Sequence, residues 1–350
     1  MNNGNSAQAA PRRILIILMG SIGDVVRALP LLGRLRRAYP HAHIAWAVEP
    51  KSAPVIDGHP WLDEMIIYNR RAPWSFPFFL YRVRAGRFDL VLDLQRHLKS
   101  GLVAWMSGAA DRIGFAAANT KEFNHWFSRR HIAPQPNMRL KLMQYQGFGD
   151  ALGIAGAPIE FGLEPREEDL HRAAALIGDT NRPLLGVILG SSWESRIYFA
   201  QPAAEAIIEL NRRHGLVPML LGAPDERRLA DGVRRHLGRL EVIDLAGRTR
   251  LKDLAALFHY CRAAFGPDCG PMHIAAAVGC PVVSLWGATA PERSAPWGFA
   301  ELAIKARIPC HPCYLRRCPI DRECMHRIQP GEVVGAVERA ILRSAAQNRI

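Results

Sequence analysis

Short apolar runs alternate with amphipathic stretches along residues 12–160. The run "RRILIIL" turns continuously apolar after two arginines and is too short for a helix, so it predicts a buried strand. "HIAWAVEP" and "FDLVLDLQ" repeat this pattern. Between the first two runs, Val25, Leu29 and Leu32 approximate one face of a helix, and the arginines occupy another. Pro30 within that stretch predicts a kink or a local break.

A second alternating set follows a charged segment punctuated by Gly and Pro, "IEFGLEPREEDLHRAAALIGDTNRP". "LLGVILG" predicts a strand and a turn, and "AAFGPDCGPMHIAAAVGCPVVSLWG" predicts strand, loop, helix and strand. Strands alternating with helices favour the α/β class, with two Rossmann-like domains whose parallel sheets face a cleft. Ligands of such folds bind at the carboxyl ends of the strands. The predicted boundaries are a disordered tail (1–11), a first domain (12–160), a linker (161–182) and a second domain (183–330).

Composition narrows the range of partners. The chain of 350 residues has 49% hydrophobic and 22% charged residues, which is a globular composition. Lys and Arg number 45 against 32 Asp and Glu, a net charge of +13, which favours polyanionic partners unless the arginines are merely solvated. Nucleic-acid binding would rest on this charge alone, and no nucleic-acid partner is expected. No signal peptide or membrane span is predicted, so a cytoplasmic location is expected.

All seven cysteines lie between residues 261 and 324, and four of them fall in "CHPCYLRRCPIDRECM". The Cys-x-x-Cys start of that segment is typical of a metal site, but a second Cys-x-x-Cys is missing. His311 and His326 are further candidate ligands. Reduced thiols are favoured over a metal at these four positions, which are Cys310, Cys313, Cys318 and Cys324.

The first strand ends in "GSIGDVVRALP", in which Gly20 and Gly23 allow a tight turn. Neither a dinucleotide fingerprint nor a P-loop is present. An acid there would repel a pyrophosphate unless a metal intervened, so two interpretations stand for Asp24. It is an N-cap of the following helix or a general base for a hydroxyl nucleophile, and its position suits both, although one oxygen cannot do both at once.

Three loops of the second domain have the composition of an anion site. In "GPDCGPMHIAAAVG", Pro271 suits the first turn of a helix whose neighbouring backbone N–H groups can hold phosphate, and Asp268 can hold a sugar hydroxyl. The alternative is an ordinary capped helix with His273 packed beneath the loop. "GSSWESRIYF" supplies Arg196 for a diphosphate, unless that arginine is an ordinary surface residue. In "LLGAPDERRL", Glu226 starts a helix, where acids are favoured in any case.

These motifs, in this order and with "LDLQRHLKSGL" and "WGATAPERSAPWG", resemble the lipopolysaccharide heptosyltransferases of glycosyltransferase family 9. The resemblance covers nearly the whole chain after residue 12. It implies a GT-B fold in which the first domain binds the acceptor and the second the nucleotide sugar. A C-terminal helix (331–350) would return to the first domain. It also implies inverting, metal-independent transfer from ADP-heptose to Kdo-lipid A or the heptosylated core, on the anionic inner-membrane surface.

The resemblance assigns roles to individual residues. Asp24 would be the catalytic base, Arg196 a second catalytic residue that also holds the donor phosphates, and Lys99 an acceptor-side residue. The remaining residues would bind the donor, namely Ser21, Gly23, Ser191, Ser192, Glu226 (ribose), Thr249 (adenine), Asp268, Cys269, Gly270 and His273.

Two departures from the family pattern keep other functions open. The family usually has Lys at the position of Arg196, and Thr or Ser at that of Cys269. A family 9 transferase with another donor or acceptor is one alternative, and a non-catalytic nucleotide- or lipopolysaccharide-binding relative is another. A nicotinamide dehydrogenase is disfavoured because the glycine fingerprint is missing.

Overall fold

The structure is a computed structural model, and it describes residues 10–347. The chain divides into two compact units, Met1–Gly162 and Leu163–Ile350. The predicted disordered tail falls mainly on residues 1–9, which lie outside the described residues. In the described part of the chain, no helix is both long and apolar enough to cross a membrane.

The first unit is built from six strands and four α-helices among its described residues. They are β1 (Arg13–Ile17), α1 (Ile22–Ala38), β2 (His43–Val48), β3 (Glu64–Ile67), α2 (Phe76–Ala85), β4 (Leu90–Asp93), α3 (Leu98–Met106), β5 (Asp111–Gly114), β6 (Arg130–His131) and α4 (Lys141–Ala151).

The second unit repeats the alternation. Its elements are α5 (Glu167–Ile177), β7 (Leu184–Ile188), α6 (Ala200–His214), β8 (Val217–Leu221), α7 (Arg227–Leu237), β9 (Ile243–Asp244), α8 (Asp253–His259), β10 (Cys261–Pro267), α9 (Gly270–Ala277), β11 (Val282–Trp286), α10 (Pro291–Ser294), β12 (Ile304–Lys305), α11 (Glu323–His326) and α12 (Pro330–Gln347). Helix α5 lies inside the predicted linker and packs against α8.

Each unit contains one parallel six-stranded sheet. The strand orders are β3-β2-β1-β4-β5-β6 and β12-β11-β10-β7-β8-β9. In the first sheet Ile14 pairs with Ile44 on one side and Leu90 on the other. The strand order reverses between β1 and β4, and again between β7 and β10, so each sheet has one topological switch point. The predicted α/β class with two Rossmann-like parallel sheets is confirmed.

Helix α1 is continuous through Pro30, so the predicted local break is wrong. Pro30 removes one backbone donor from the helix. The flanking Leu29 and Leu31 are fully buried, and α1 packs along α4. These two leucines lie on opposite sides of the helix, and burial on both sides holds it together despite the missing donor.

Helices α2 and α3 bury their inner faces against the first sheet. Phe79 and Val83 of α2 join Val103 of α3 in one cluster with Leu15 of β1. In the second unit, α12 packs on α6, β10 and β11. The predicted return of residues 331–350 to the first domain stays a prediction, and residues 348–350 lie outside the described part.

Candidate active site

The loop at the first switch point carries Asp24. Strand β1 ends at Ile17 and α1 begins at Ile22, so Asp24 is the third residue of the helix. Ser21 occupies the N-cap position, and its Oγ donates to Asp24 Oδ2 over 3.2 Å. The N-cap alternative for Asp24 is therefore wrong, because the helix begins before that residue.

Three side chains converge on the other oxygen of the Asp24 carboxylate. Arg27 Nη2 lies 2.7 Å and Lys141 Nζ 2.8 Å from Oδ1. The hydroxyl of Tyr145 donates to the same oxygen over 3.2 Å. Lys141 and Tyr145 both lie on α4, so the packing of α4 along α1 brings them to the acid.

These contacts decide the charge of Asp24. Burial by itself raises its pKa, but the charges and hydrogen bonds of Lys141 and Arg27 outweigh that effect and hold the pKa well below its usual range. Burial and the nearby carboxylate raise the pKa of Tyr145, which stays a donor. The loop thus presents an ionised, partly buried carboxylate, whose Oδ2 accepts from Ser21.

A second cluster forms where β7 and β10 end, at the switch point of the second sheet. Arg196 Nη1 lies 3.1 Å from Asp268 Oδ2, and Thr289 Oγ1 donates to that same oxygen over 2.7 Å. Ser191 Oγ donates to the backbone oxygen of Asp268 over 2.9 Å. The Arg196 guanidinium also stacks 3.9 Å from the ring centroid of Trp193. A planar cation is thereby held in one orientation beside these loops.

Glu226 lies against the loop that follows β7. A Cβ added at Gly190 would lie 1.8 Å from Glu226 Oε1, so the absence of a side chain at residue 190 makes room for this carboxylate. Its Oε2 accepts the backbone N–H of Ala223 over 2.8 Å. Thr249 is half-buried in the loop after β9, which is tied to the loop after β8 by a hydrogen bond between Gly247 and Gly222.

Helix α9 begins at Gly270, directly after Asp268 and the N-cap residue Cys269. Cys269 is buried, and its N-cap side chain makes no capping hydrogen bond. Burial raises the pKa of its thiol, and the charges of Asp268, Glu226 and Arg196 also act on it. Asp268 directly precedes Cys269 in the chain and is paired with Arg196, so both of these charges lie at the start of α9. His273, in the first turn, is buried.

The structure therefore brings most of the predicted donor residues together in the second unit. Ser191, Arg196 and Asp268 are in direct contact, and exposed Ser192 is in the same loop. Ser21 and Gly23 instead lie beside Asp24 in the first unit. Their predicted roles, like those of the other site residues, stay predictions.

Lys99 lies apart from Asp24 in sequence and element, near the start of α3. Its Nζ contacts the Tyr68 hydroxyl and lies 4.0 Å from the centroid of that ring. Burial lowers the pKa of Lys99, while the charge of Glu49 raises it by less. Its acceptor-side role stays a prediction.

Several residues of these clusters were not predicted from the sequence. Arg27 lies one helical turn after Asp24, a spacing that is visible in the sequence. Thr289 lies within the quoted stretch "WGATAPERS". Lys141 and Tyr145 follow Asp24 by more than a hundred positions, and no local pattern could have joined them to it.

The four cysteines of residues 310–324 differ from one another in exposure. Cys310 is exposed, Cys313 and Cys318 are half-buried, and Cys324 is buried. Burial raises the pKa of Cys324, and Cys318 contributes further. Within residues 10–347, no three His, Cys, Asp or Glu side chains are arranged to hold a metal ion.

Known proteins are similar in sequence to this chain over most of its length. The lipopolysaccharide core heptosyltransferase OpsX of Haemophilus influenzae is 25% identical over 297 residues, 84% of each chain. Lipopolysaccharide heptosyltransferase 1 of Pseudomonas aeruginosa is 25% identical, covering 94% of this chain and 98% of its own. Both relatives are named as transferases.

A solved structure shows the same fold. The E. coli heptosyltransferase WaaC with ADP superposes with a TM-score of 0.73 at 20% identity, over 94% of this chain and 99% of that one. This likeness confirms the GT-B fold. The family model of glycosyltransferase family 9 (heptosyltransferase) matches residues 79–323, well over half of the chain. The chain therefore belongs to glycosyltransferase family 9, the heptosyltransferases, and is a glycosyltransferase.

Proposed function

We propose that the chain transfers heptose from ADP-heptose to the Kdo/heptose inner core of lipopolysaccharide, with inversion at the sugar C1. One observation carries the proposal: the chain's two switch-point loops have opposite chemistry. The first offers an ionised acid, Asp24, and the second a fixed cation, Arg196. An acceptor hydroxyl needs a base, whereas a diphosphate leaving group needs positive charge.

The second unit would hold the donor. Arg196, Ser191, Ser192 and the first N–H groups of α9 would meet the diphosphate, because a helix N-terminus and a guanidinium both favour an anion. Glu226 would accept from the ribose, and the loop of Thr249 would contact the adenine. The relative WaaC was solved with ADP, which supports a nucleotide of this kind.

The first unit would activate the acceptor. The acceptor oxygen attacks C1 of the heptose, the bond from C1 to the diphosphate oxygen breaks, and ADP leaves with that electron pair. The proton of the hydroxyl passes to Asp24. A carboxylate with a low pKa is a weak base, so the proton moves late, after bond formation has made the hydroxyl acidic. Oδ2 would take it, since Oδ1 already accepts from Arg27, Lys141 and Tyr145.

We propose that this step uses no metal ion. Arg196 supplies the positive charge that the departing diphosphate requires, and it is held in place by Asp268 and Trp193. The cysteines of residues 310–324 would remain thiols without a part in the transfer.

We also propose that the enzyme works in the cytoplasm, peripheral on the inner membrane. The relatives from Haemophilus influenzae and Pseudomonas aeruginosa are both named as lipopolysaccharide heptosyltransferases. An acceptor that carries lipid A is anchored in a bilayer. The net charge of +13 suits the anionic surface on which such an acceptor lies.

Product analysis tests the proposal. We expect one heptose to be added to a Kdo2-lipid A or heptosylated core acceptor when ADP-heptose is supplied, as measured by the mass of the product. Matched reactions with UDP- and GDP-linked sugars serve as controls. Transfer from one of those donors but not from ADP-heptose would favour the alternative family 9 transferase. Binding of ADP without transfer to any acceptor would favour a non-catalytic relative.

A further inference from the structure

Helices α2 and α3 expose apolar side chains on their outer surface. Trp74, in the short helix Pro73–Ser75 that leads into α2, is 79% exposed, and Phe78 and Tyr81 follow at spacings of four and three residues. On α3, Leu102 and Trp105 are also exposed and three residues apart. Residues three or four apart share one face of a helix, so each helix presents a continuous apolar stripe. We call these five residues the aromatic face.

This exposure is not explained by folding of the first unit. The inner faces of α2 and α3 are already apolar, with Phe79, Val83 and Val103 buried against the sheet. A helix that is hydrophobic on both sides is typical of one with a second partner, such as a membrane. Phe123 and Trp126 extend the exposed aromatic surface next to α3, with ring centroids 4.7 Å apart.

Positive charge borders the aromatic face. Residues 68–131 contain eleven Lys and Arg against four Asp and Glu. A groove of about 720 Å³ lies between α2 and α3, and its lining includes Tyr81, Trp105, Arg84, Arg112 and Arg129. Two aromatic residues and three arginines therefore line one cavity, and the Arg112 guanidinium is fixed there by donating to two backbone oxygens. Tyr and Trp prefer the boundary between lipid and water, and Arg pairs with phosphate in two parallel hydrogen bonds.

We propose that the aromatic face and the adjoining arginine groove dock the first unit onto an anionic lipid bilayer. The aromatic side chains enter the headgroup layer, and the exposed Arg84 and Arg129 meet lipid phosphates. The combination of exposed apolar area and positive charge is better matched to an anionic lipid bilayer than to an ordinary protein partner. The inference rests on the proposed function in one respect: a lipid-anchored acceptor gives the enzyme a reason to be there.

Vesicle flotation tests the surface without any sugar substrate. We expect the full chain to float with vesicles of phosphatidylcholine mixed with phosphatidylglycerol, and much less with phosphatidylcholine alone. The triple variant Trp74→Ser/Phe78→Ser/Trp105→Ser and the charge variant Arg84→Gln/Arg129→Gln should each bind the mixed vesicles roughly tenfold more weakly. The control Ile208→Ser/Leu342→Ser removes exposed apolar side chains of the second unit and should bind like wild type.

The remaining outcomes are also decisive. If both the triple variant and the charge variant floated as well as the wild type, the proposal would be overturned. A change from dimer to monomer in the triple variant with flotation retained would also overturn it, because the face would then join two copies. Should the triple variant fail to fold, Phe78→Ser alone and the charge variant carry the test.

Failure of the proposed function would look different. All variants should retain transfer to a soluble inner-core oligosaccharide that lacks lipid, because the altered residues lie outside the two switch-point clusters. Loss of flotation with transfer retained supports the surface. Flotation as expected with no transfer in any protein would leave the docking surface standing and reject the heptosyl transfer.

Discussion

The Asp24 carboxylate contacts two positively charged side chains, which make it a weaker base than an isolated carboxylate. Arg27 and Lys141 both contact Oδ1, and burial strengthens their electrostatic effect. This pairing lowers the basicity of the acid but fixes its position and keeps it ionised across the neutral range. The side chain is thus suited to accept a proton late in a reaction, from a hydroxyl that has already begun to bond.

Removing one of these cations should shift the pH profile. In Lys141→Met, the loss of a positive charge raises the pKa of Asp24, so the acid becomes protonated at a higher pH than in the wild type. The acid limb of kcat/KM should therefore move to higher pH, as measured by ADP release over a pH series. Lys141→Arg keeps the charge and should keep the wild-type limb. An unmoved limb in Lys141→Met would argue against Asp24 as the titrating group.

Residue-scale chemistry was only partly predictable from the sequence. Asp24, Arg196 and Asp268 could be singled out because each follows an apolar strand in a loop with Gly or Ser. The pair of Asp24 with Lys141 depends on α4 packing along α1, and the pair of Asp268 with Thr289 depends on the order of strands in the second sheet. Such contacts come from tertiary packing, which no local pattern encodes.

At the scale of elements, both clusters lie where a sheet reverses its strand order. The loops after β1 and β7 diverge from those after β4 and β10, which leaves a crevice at the carboxyl edge of each sheet. The same topology serves two chemistries because the loops differ. One loop supplies an acid on the first turn of α1, and the other an arginine supported by a tryptophan ring.

The contact between the β7 loop and Glu226 gives a prediction at this scale. In Gly190→Ala, the new methyl group would occupy the position of the Glu226 carboxylate and force that side chain away. If Glu226 binds the ribose, ADP should bind about tenfold more weakly, as measured by calorimetry. The melting temperature should change little, since the displaced atoms are the flexible end of a side chain.

A matched glycine variant provides the control for this experiment. A Cβ added at Gly331 meets nothing within 4 Å, so Gly331→Ala should bind ADP like the wild type. Equal ADP affinity in Gly190→Ala and the wild type would remove Glu226 from the donor site.

The strands were predictable because parallel buried strands are continuously apolar. "RRILIIL", "HIAWAVEP" and "LLGVILG" contain β1, β2 and β7. The continuity of α1 through Pro30 was not predictable, because burial against neighbouring elements outweighs the local cost of proline. The order of the strands in each sheet is likewise a property of packing, not of any one segment.

At the scale of the whole molecule, part of the positive charge is concentrated in one region of the first unit. The net charge of +13 left open whether the arginines form a patch or are simply solvated. The groove between α2 and α3 collects Arg84, Arg112 and Arg129 beside exposed aromatic rings. The first unit therefore carries both the candidate base and the proposed lipid-binding surface, while the second carries the candidate donor site.

The central claim is that Asp24 takes the proton in an acceptor-dependent transfer. The most direct test is ADP release from ADP-heptose, with and without Kdo2-lipid A, in the wild type, Asp24→Ala and Asp24→Asn. We predict acceptor-dependent release in the wild type and a loss of at least about a hundredfold in both variants, with ADP affinity and folding retained. Acceptor-dependent release at the wild-type rate from a folded Asp24→Ala protein would contradict the account.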